Sequence, residues 1–368
     1  MSSILHFIKR EPVLTVSAAA AALSAAAVPP GPEYLGYVDL RVLCLLFCLM
    51  AVVAGLQSCG LFTALAQRLL AGRHRLRTVG LLLVGLPFFA SMLVTNDVAL
   101  LTFVPFAILT LRLVGREELL PRVVVLQTVA ANLGSMATPV GNPQNLFLYS
   151  HFQLGAGEFF AAVVPLTLLS FAGLAAATMW MVPREVIHVA FGAPQELERK
   201  KLWACLTLFA LCLLSVFRVL PYGLLTAVVA AVIALLDRRL LRRVDYGLLL
   251  TFVCFFIFSG NLGNIPAVRQ GLSQLLEENA FLCALLASQV ISNVPAAALL
   301  AEFTADWRGL LLGVDVGGLG TLIASLASLI SFKLYIALPG ARPGRYLGMF
   351  TAVNAGALAV LIPAALWL

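Results

Sequence analysis

The chain has 368 residues, of which 61% are hydrophobic and 11% charged. Soluble domains carry roughly 25% charged residues, so this composition belongs in lipid, and the apolar runs cover the whole length without leaving room for a soluble domain. The net charge of +7 comes from basic residues scattered through short loops, which argues against nucleic acid as a partner and is how a membrane protein sets its orientation.

Lys9 and Arg10 precede an apolar run, Val13–Val28, that ends at Pro29-Pro30. It reads as an uncleaved first span, the alternative being a signal segment with Ala25-Ala26-Ala27 as its cleavage motif. Further crossings follow at Leu40–Gly55, Leu119–Tyr149, Phe159–Val182, Leu202–Phe217 and Tyr222–Leu236, then at Tyr246–Gly260, Leu310–Tyr335 and Tyr346–Leu368. Two other apolar stretches, 78–113 and 273–305, are interrupted by polar residues near their middles. Each half is too short to cross about 30 Å of hydrocarbon at about 1.5 Å per residue. They are expected to be re-entrant hairpins that enter and leave on one side. The fold class is therefore all-α integral membrane, with about nine transmembrane helices plus two re-entrant hairpins.

Charge tests this topology. With a cytoplasmic N-terminus, all of the 24 lysines and arginines except Arg41, Arg218, Arg269 and Arg308 fall on the cytoplasmic side, as the positive-inside rule demands. The C-terminus then lies outside, and the expected location is the plasma (inner) membrane. Cys44, Cys48, Cys59, Cys205, Cys212, Cys254 and Cys283 all lie in or beside apolar runs, form no CxxC and read as buried, inert thiols rather than a metal site.

The chain also repeats itself. Val38-Asp39-Leu40 and Val244-Asp245-Tyr246 each open a span, and each span is followed by a hairpin with a polar tip, Thr95-Asn96-Asp97 or Ser292-Asn293-Val294. Each hairpin precedes a helix broken at glycines. Gly134–Gly141 (GSMATPVG) answers Gly317–Ala324 (GGLGTLIA). An odd number of crossings separates the copies, so they are inverted, the pattern of secondary transporters with broken helices at the midplane. The expected domains are a first repeat at 1–182, with hairpin 78–113 and broken helix 119–149, a cytoplasmic linker at 183–201, and a second repeat at 202–368, with hairpin 273–305 and broken helix 310–335.

Irregular backbone in a membrane needs protein or a water-filled cavity around it, so four matched interruptions imply one polar site. Asn142-Pro143 is a helix cap followed by proline at the first helical position. Asn293 with Pro295 has the same character, and the Thr95-Asn96 tip is expected to start a helix at Asp97. Helix N-termini carry about half a positive charge, so several aimed at one point attract an anion. Thr95, Asn96, Gly141, Asn142, Pro143, Ser292, Asn293 and Thr321 are the candidate substrate contacts. Small residues such as Gly134, Ser135, Thr138, Gly141, Gly317, Gly318 and Thr321 let a solute approach the backbone, although any one such motif alone also serves as a kink or a cap. Asp97 is the leading candidate for the coupling ion, Na+ or H+, because an intramembrane carboxylate is costly and would repel an anion unless a cation occupied it. Gly134, Thr138, Asn145, Asp315 and Gly318 complete that set. Asp315 corresponds to Asn132, and Val294 to Asp97. Asp39, Asp245, Glu302 and Asp306 read as boundary residues. No cofactor beyond the coupling ion is expected. An intramembrane enzyme has little support: there is no HExxH, His6, His74, His151 and His188 lie at loops or span ends, and no paired aspartates fall within the bilayer.

The stretches Thr95–Pro105 (TNDVALLTFVP), Gly134–Asn145 (GSMATPVGNPQN) and Ser292–Leu300 (SNVPAAALL) resemble the ion-transporter superfamily, which includes divalent anion/sodium symporters, citrate–metal transporters, arsenite permeases and NhaD-type antiporters. The resemblance runs from about Pro12 to the C-terminus. It implies hairpin tips that contact substrate carboxylate and frame sodium sites, an elevator motion and a homodimer. Only the central asparagines of the family's Ser-Asn-Thr tips are matched here. The Asn-Asp tip resembles the arsenite-permease and antiporter branches, and Gly-Asn-Pro-x-Asn at Gly141–Asn145 resembles the symporters. The function implied is cation-coupled transport of a small anion, with arsenite/antimonite export or Na+/H+ exchange as the alternative.

Labelling tests the topology. In a background without native thiols, a single cysteine placed in the Pro183–Lys201 linker should resist an impermeant thiol reagent in intact cells and react after permeabilisation. Labelling from outside would overturn the assignment.

Overall fold

The computed structural model describes residues 11–191 and 196–368, and within them the protein is helical apart from one two-stranded ribbon. Lys9, Arg10 and positions 192–195 of the expected linker lie outside the described residues. Helices α1 (Pro12–Ala27), α2 (Glu33–Tyr37), α3 (Leu40–Ser58) and α4 (Leu61–Leu70) lead to strand β1 (Gly72–Arg75), α5 (Leu76–Ala90) and α6 (Asn96–Leu113). Next come α7 (Leu120–Ser135), α8 (Pro143–His151), α9 (Ala156–Met181), strand β2 (Val186–Val189), α10 (Arg199–Val216) and α11 (Tyr222–Asp237). The remaining helices are α12 (Tyr246–Gly263), α13 (Pro266–Ile291), α14 (Asn293–Leu300), α15 (Trp307–Gly317), α16 (Leu326–Ile336) and α17 (Pro343–Trp367).

Among the described residues, α3, α6, α9, α12 and α17 are long and apolar enough to cross a membrane, while α1 and α11 are shorter apolar helices. The 18-residue α6 corrects the expectation that both halves of the stretch 78–113 are too short to cross, because its helix runs unbroken from Asn96 through Pro105 to Leu113. Large apolar side chains stand exposed around the outside, among them Leu235 on α11 and Trp180 on α9. Such a belt would be a liability in water and is ordinary in lipid.

Local chemistry sets the boundaries. Asp39, Asp245 and Asp306 cap α3, α12 and α15, accepting from Val42 N (3.0 Å), Leu248 N (2.9 Å) and Gly309 N (2.9 Å). These are the boundary roles expected of them. Both expected helix breaks are present, between α7 and α8 and between α15 and α16. The second hairpin starts later than Ser273. The helix α13 kinks at Asn279 (φ −164°), whose Oδ1 accepts from Leu282 N at 2.8 Å and restarts the helix there. The segment before the kink, 266–278, is an extra helical arm, comparable to α4 before the first hairpin, and neither is among the elements expected from the sequence. The linker at 183–201 is likewise not featureless. Val186–Val189 pairs antiparallel with Gly72–Arg75, and α10 begins at Arg199. Arg77 Nε and Arg122 Nη1 donate to the carbonyls of Val182 (2.8 Å) and Met181 (2.9 Å), binding the starts of α5 and α7 to the end of α9.

The core is built around α7 and α15. Every residue of α7 except Arg122 is buried, which only a helix enclosed by other helices tolerates. Helix α5 packs on α7 as α13 packs on α15, and the second arm of each hairpin crosses over, α6 onto α16 and α14 onto α8. Two glycines permit the close approach. A Cβ at Gly134 would overlap the Phe88 carbonyl and stand 2.7 Å from Ser91 Oγ, and one at Gly317 would stand 2.8 Å from Ser288 Oγ. These glycines therefore serve helix packing, which corrects the expectation that Gly134 opens the backbone to a solute.

The expected consequence is that Gly134→Ala lowers the thermal midpoint of the detergent-purified protein, overpacking costing about 1–3 kcal/mol. Gly173→Ala, where a Cβ meets nothing within 4 Å, should leave the midpoint unchanged or raise it. Equal midpoints for the two variants would refute the packing role.

Candidate functional site

A cavity of about 410 Å3 runs from the N-terminal ends of α1 and α12 to the two hairpin tips. At its inner end lie Thr95 and Asp97 from the first tip, Ser292 and Val294 from the second, and Asn142 and Pro143 from the start of α8. Its walls are apolar, with Leu46, Leu49 and Met50 of α3 facing Leu326, Leu329 and Ile330 of α16. Arg243, Asp245 and Lys333 line it as well. An apolar chamber with a few convergent polar groups is the usual form of a small-molecule site.

Helices α6, α8 and α14 begin at that inner end, and Leu326, the first residue of α16, lines the same cavity. Asn142 is an N-cap as expected, its Oδ1 accepting from Asn145 N at 2.9 Å, with Pro143 at the first helical position. The tips are built differently from the expectation. Asn96 and Asn293 are the first residues of α6 and α14 and not their caps, and each side-chain carbonyl accepts from the next backbone N–H, Asp97 N at 3.0 Å and Val294 N at 2.9 Å. The residue before α14, Ser292, adopts φ +73°, a left-handed conformation that costs energy for a residue with a Cβ. Asp97 sits in the first turn of α6, where the helix dipole favours a negative charge.

Each tip is tied to the break that follows it. Asn96 N donates to Gly141 O (3.3 Å) and Asn293 N to Ala324 O (3.0 Å). Gly141 and Ala324 are the positions matched by the sequence repeat, so the correspondence extends to single hydrogen bonds. Behind the tips lies a buried polar cluster. Asn132 Oδ1 accepts from Asn96 Nδ2 (3.0 Å) and Ser325 Oγ (3.0 Å), and its Nδ2 donates to Ser328 Oγ (3.3 Å). In the matched place, Asn142 Nδ2 donates to Asp315 Oδ1 at 3.4 Å.

The expected site residues therefore divide. Thr95, Asp97, Asn142, Pro143 and Ser292 line the cavity. Asn96, Asn293, Gly141, Asn145 and Asp315 are buried behind it, and Asn96 faces Asn132 instead of the cavity. Thr138 Oγ1 donates to the Met92 carbonyl, and Gly318 carries a carbonyl 3.5 Å from Asn132 Nδ2. Thr321 is not a cavity residue. It lies exposed in the second break, where its N–H donates to Gln289 Oε1 (2.9 Å) and its hydroxyl to Gln289 O (3.2 Å). Gln289, which the sequence reading missed, also donates to the carbonyls of Gly317 (2.8 Å) and Leu319 (2.9 Å). A lone amide in the apolar run just before the tip was the available signal. Arg243, Asp245 and Lys333, read only as loop or boundary residues, are cavity residues too.

A family model described as citrate transporter matches residues 4–307. The chain belongs to this family. It is 33% identical over 303 residues to the inner membrane protein YbiR of Escherichia coli K12, covering 81% of this chain and 80% of that one. The uncharacterized transporter MJ0456 of Methanocaldococcus jannaschii is 30% identical over 317 residues, 86% of each chain. The silicon efflux transporter LSI3 of rice is 35% identical over 134 residues, 36% of this chain and 27% of that one. The protein is thus a multi-pass membrane transporter of the citrate transporter family, and the resemblance to the ion-transporter superfamily holds.

Two alanine variants separate the roles of the tip amides. Asn96→Ala removes a buried hydrogen bond to Asn132 as well as the local one, a loss of about 1–3 kcal/mol. Asn293→Ala removes only the local bond to Val294 N among those described, about 0.5–1.5 kcal/mol. Both should reach the membrane and fail to transport, with the larger fall in thermal midpoint for Asn96→Ala. Wild-type flux from either variant would take that tip out of the site.

Proposed function

We propose that this protein is a secondary active transporter of a small anion of the carboxylate class, with Na+ or H+ as coupling ion. The observation that carries the reading is the cavity that Thr95 and Asp97 from one hairpin and Ser292 from the other line together with the start of α8. Helix N-termini supply N–H donors and partial positive charge for the anion, and the hydroxyls of Thr95 and Ser292 add directional contacts. Asp97 on the same wall holds the coupling cation, which offsets its repulsion of the substrate. Gly134, Thr138, Asn145, Asp315 and Gly318 shape the polar shell behind.

The matched tips and breaks support two inverted repeats, 1–182 and 202–368, joined by the segment 183–201. The hairpins are re-entrant, the C-terminus lies outside, and the cavity, with Arg243 and Lys333 at its mouth, opens to the cytoplasm. In an elevator-type cycle the hairpins and broken helices carry the site across the bilayer of the plasma membrane as one body, against a scaffold that pairs in a homodimer. A second reading, export of a small oxyacid such as arsenite, draws on the Asn-Asp tip and on the rice relative whose name is silicon efflux transporter. Flux in vesicles under an imposed Na+ or pH gradient, with a panel of radiolabelled anions, separates the two by direction and substrate.

Asp97→Asn tests the coupling. It preserves size and removes the charge, so gradient-driven accumulation should disappear while binding of the same anion to purified protein weakens at most severalfold. Accumulation that still follows the gradient in this variant would make Asp97 structural.

A further inference from the structure

The turn between α6 and α7 and the turn between α16 and α17 enclose a second cavity, of about 270 Å3. Arg112, Glu117 and Glu118 line it from the first turn, and Tyr335, Arg342 and Arg345 from the second. It shares no lining residue with the cavity at the hairpin tips. Gly340, at φ +77°, adopts a conformation that favours glycine and turns the chain back. Arg342 N is thereby brought onto the Tyr335 hydroxyl, to which it donates at 3.2 Å.

The charges of this lining are unevenly matched, three arginines against two glutamates. Both glutamates are already engaged, Glu117 by Arg112 (3.4 Å) and Glu118 by Arg116 (3.7 Å), which also pairs with Glu185. Arg342 and Arg345 are exposed, and their guanidinium groups have no hydrogen-bond or ion-pair partner among the described residues. The Tyr335 hydroxyl is short of a partner too. Tyr335 is 4% exposed, with its ring stacked on that of Tyr346 at 4.9 Å. Its oxygen accepts from Arg342 N, while its own hydrogen has no acceptor among the described residues. A buried donor left in this way is costly unless something in the cavity accepts from it. Helix α17 adds further donors. It begins at Pro343 with no side-chain cap, which leaves the N–H groups of Gly344 and Arg345 without an acceptor inside the helix. Arginines in a loop orient a membrane protein whether or not a pocket lies between them, but orientation requires neither the cavity nor the buried tyrosine.

We propose that this second cavity is a binding site for a phosphate-class anion, held by Arg342, Arg345 and the Tyr335 O–H. Guanidinium groups match the paired oxygens of a phosphate, and the Tyr335 hydrogen finds its acceptor in a further oxygen. Leu120, Pro121, Leu338 and Pro339 also line the cavity and suit the apolar part of a ligand. On the topology proposed above the cavity lies at the cytoplasmic surface, where phospholipid headgroups and soluble phosphates both reach it. An occupant bridges the turn after α6 to the turn after α16, two helices that pack on each other, and so ties their ends together. The site is independent of the cargo and of the coupling ion.

Native mass spectrometry of the full chain, purified in phosphate-free detergent buffer, tests the site with phosphatidylglycerol and with an uncharged glycolipid of the same acyl chains. A second arm measures binding of radiolabelled inorganic phosphate by equilibrium dialysis. The wild type should hold phosphatidylglycerol, phosphate or both, and Arg342→Gln/Arg345→Gln should bind the same ligand at least about tenfold more weakly, having lost charge-assisted hydrogen bonds. Tyr335→Phe should weaken it severalfold. Arg68→Gln/Arg73→Gln, which removes two exposed arginines elsewhere on the chain, should bind it as the wild type does. Phosphatidylglycerol retained without phosphate binding identifies a lipid headgroup as the occupant, and saturable phosphate binding identifies a soluble one. The proposal is overturned if neither ligand separates the wild type from the Arg342→Gln/Arg345→Gln variant, or if Arg68→Gln/Arg73→Gln loses as much. Glycolipid retained as firmly as phosphatidylglycerol, with no binding of phosphate, also overturns it.

Discussion

Two helices in this protein stop inside its core, and the backbone groups freed at each stop have to find partners there. Buried N–H and C=O groups without partners are too costly to tolerate, so the breaks after α7 and α15 dictate what surrounds them. The hairpin tips answer that demand, with Asn96 N on Gly141 O and Asn293 N on Ala324 O. Asn145 serves Met136 O and Thr138 O in the first break, while Gln289 and Asn354 serve Gly317 O, Leu319 O and Gly320 N in the second. Close packing of the hairpins against Gly134 and Gly317 is the condition for these bonds to form. Hairpin and broken helix are therefore one structural unit in each half of the chain.

Within this matched frame, the chemistry is deliberately unequal. Asp97 stands opposite Val294 at the tips, and Asn132 opposite Asp315 in the helices before the breaks. The first difference faces the cavity and the second is buried behind it. A carboxylate that lines the cavity and one enclosed by amides sit in different surroundings, and burial penalises the ionised form of the second more heavily. The two halves thus share a backbone plan at the tips and breaks without sharing the placement of their carboxylates.

The membrane class, the helix breaks and the caps of α3, α8, α12 and α15 were legible in the sequence because they rest on short-range rules. Apolar run length fixes what belongs in lipid, Asn-Pro fixes the start of α8, and aspartates fix the starts of α3, α12 and α15. The repeat was legible too, down to the pairing of Gly141 with Ala324, because identical spacing around two breaks survives as a pattern of small and polar residues. The citrate transporter family match agrees with what those motifs implied.

Where each polar side chain points was not legible. Asn96 and Thr321 sit in similar polar, broken stretches, yet Asn96 turns inward to Asn132 while Thr321 lies exposed on Gln289. The ribbon joining 72–75 to 186–189, the kink at Asn279 and the reach of Lys333 into the cavity wall depend on segments distant in sequence. The sequence by itself determined a membrane transporter with two matched hairpins and two broken helices, since periodicity, capping and hydropathy are local properties of the chain. Only the tertiary structure decided which residues face the cavity and which are buried behind it, since both follow from contacts between helices that no local pattern records.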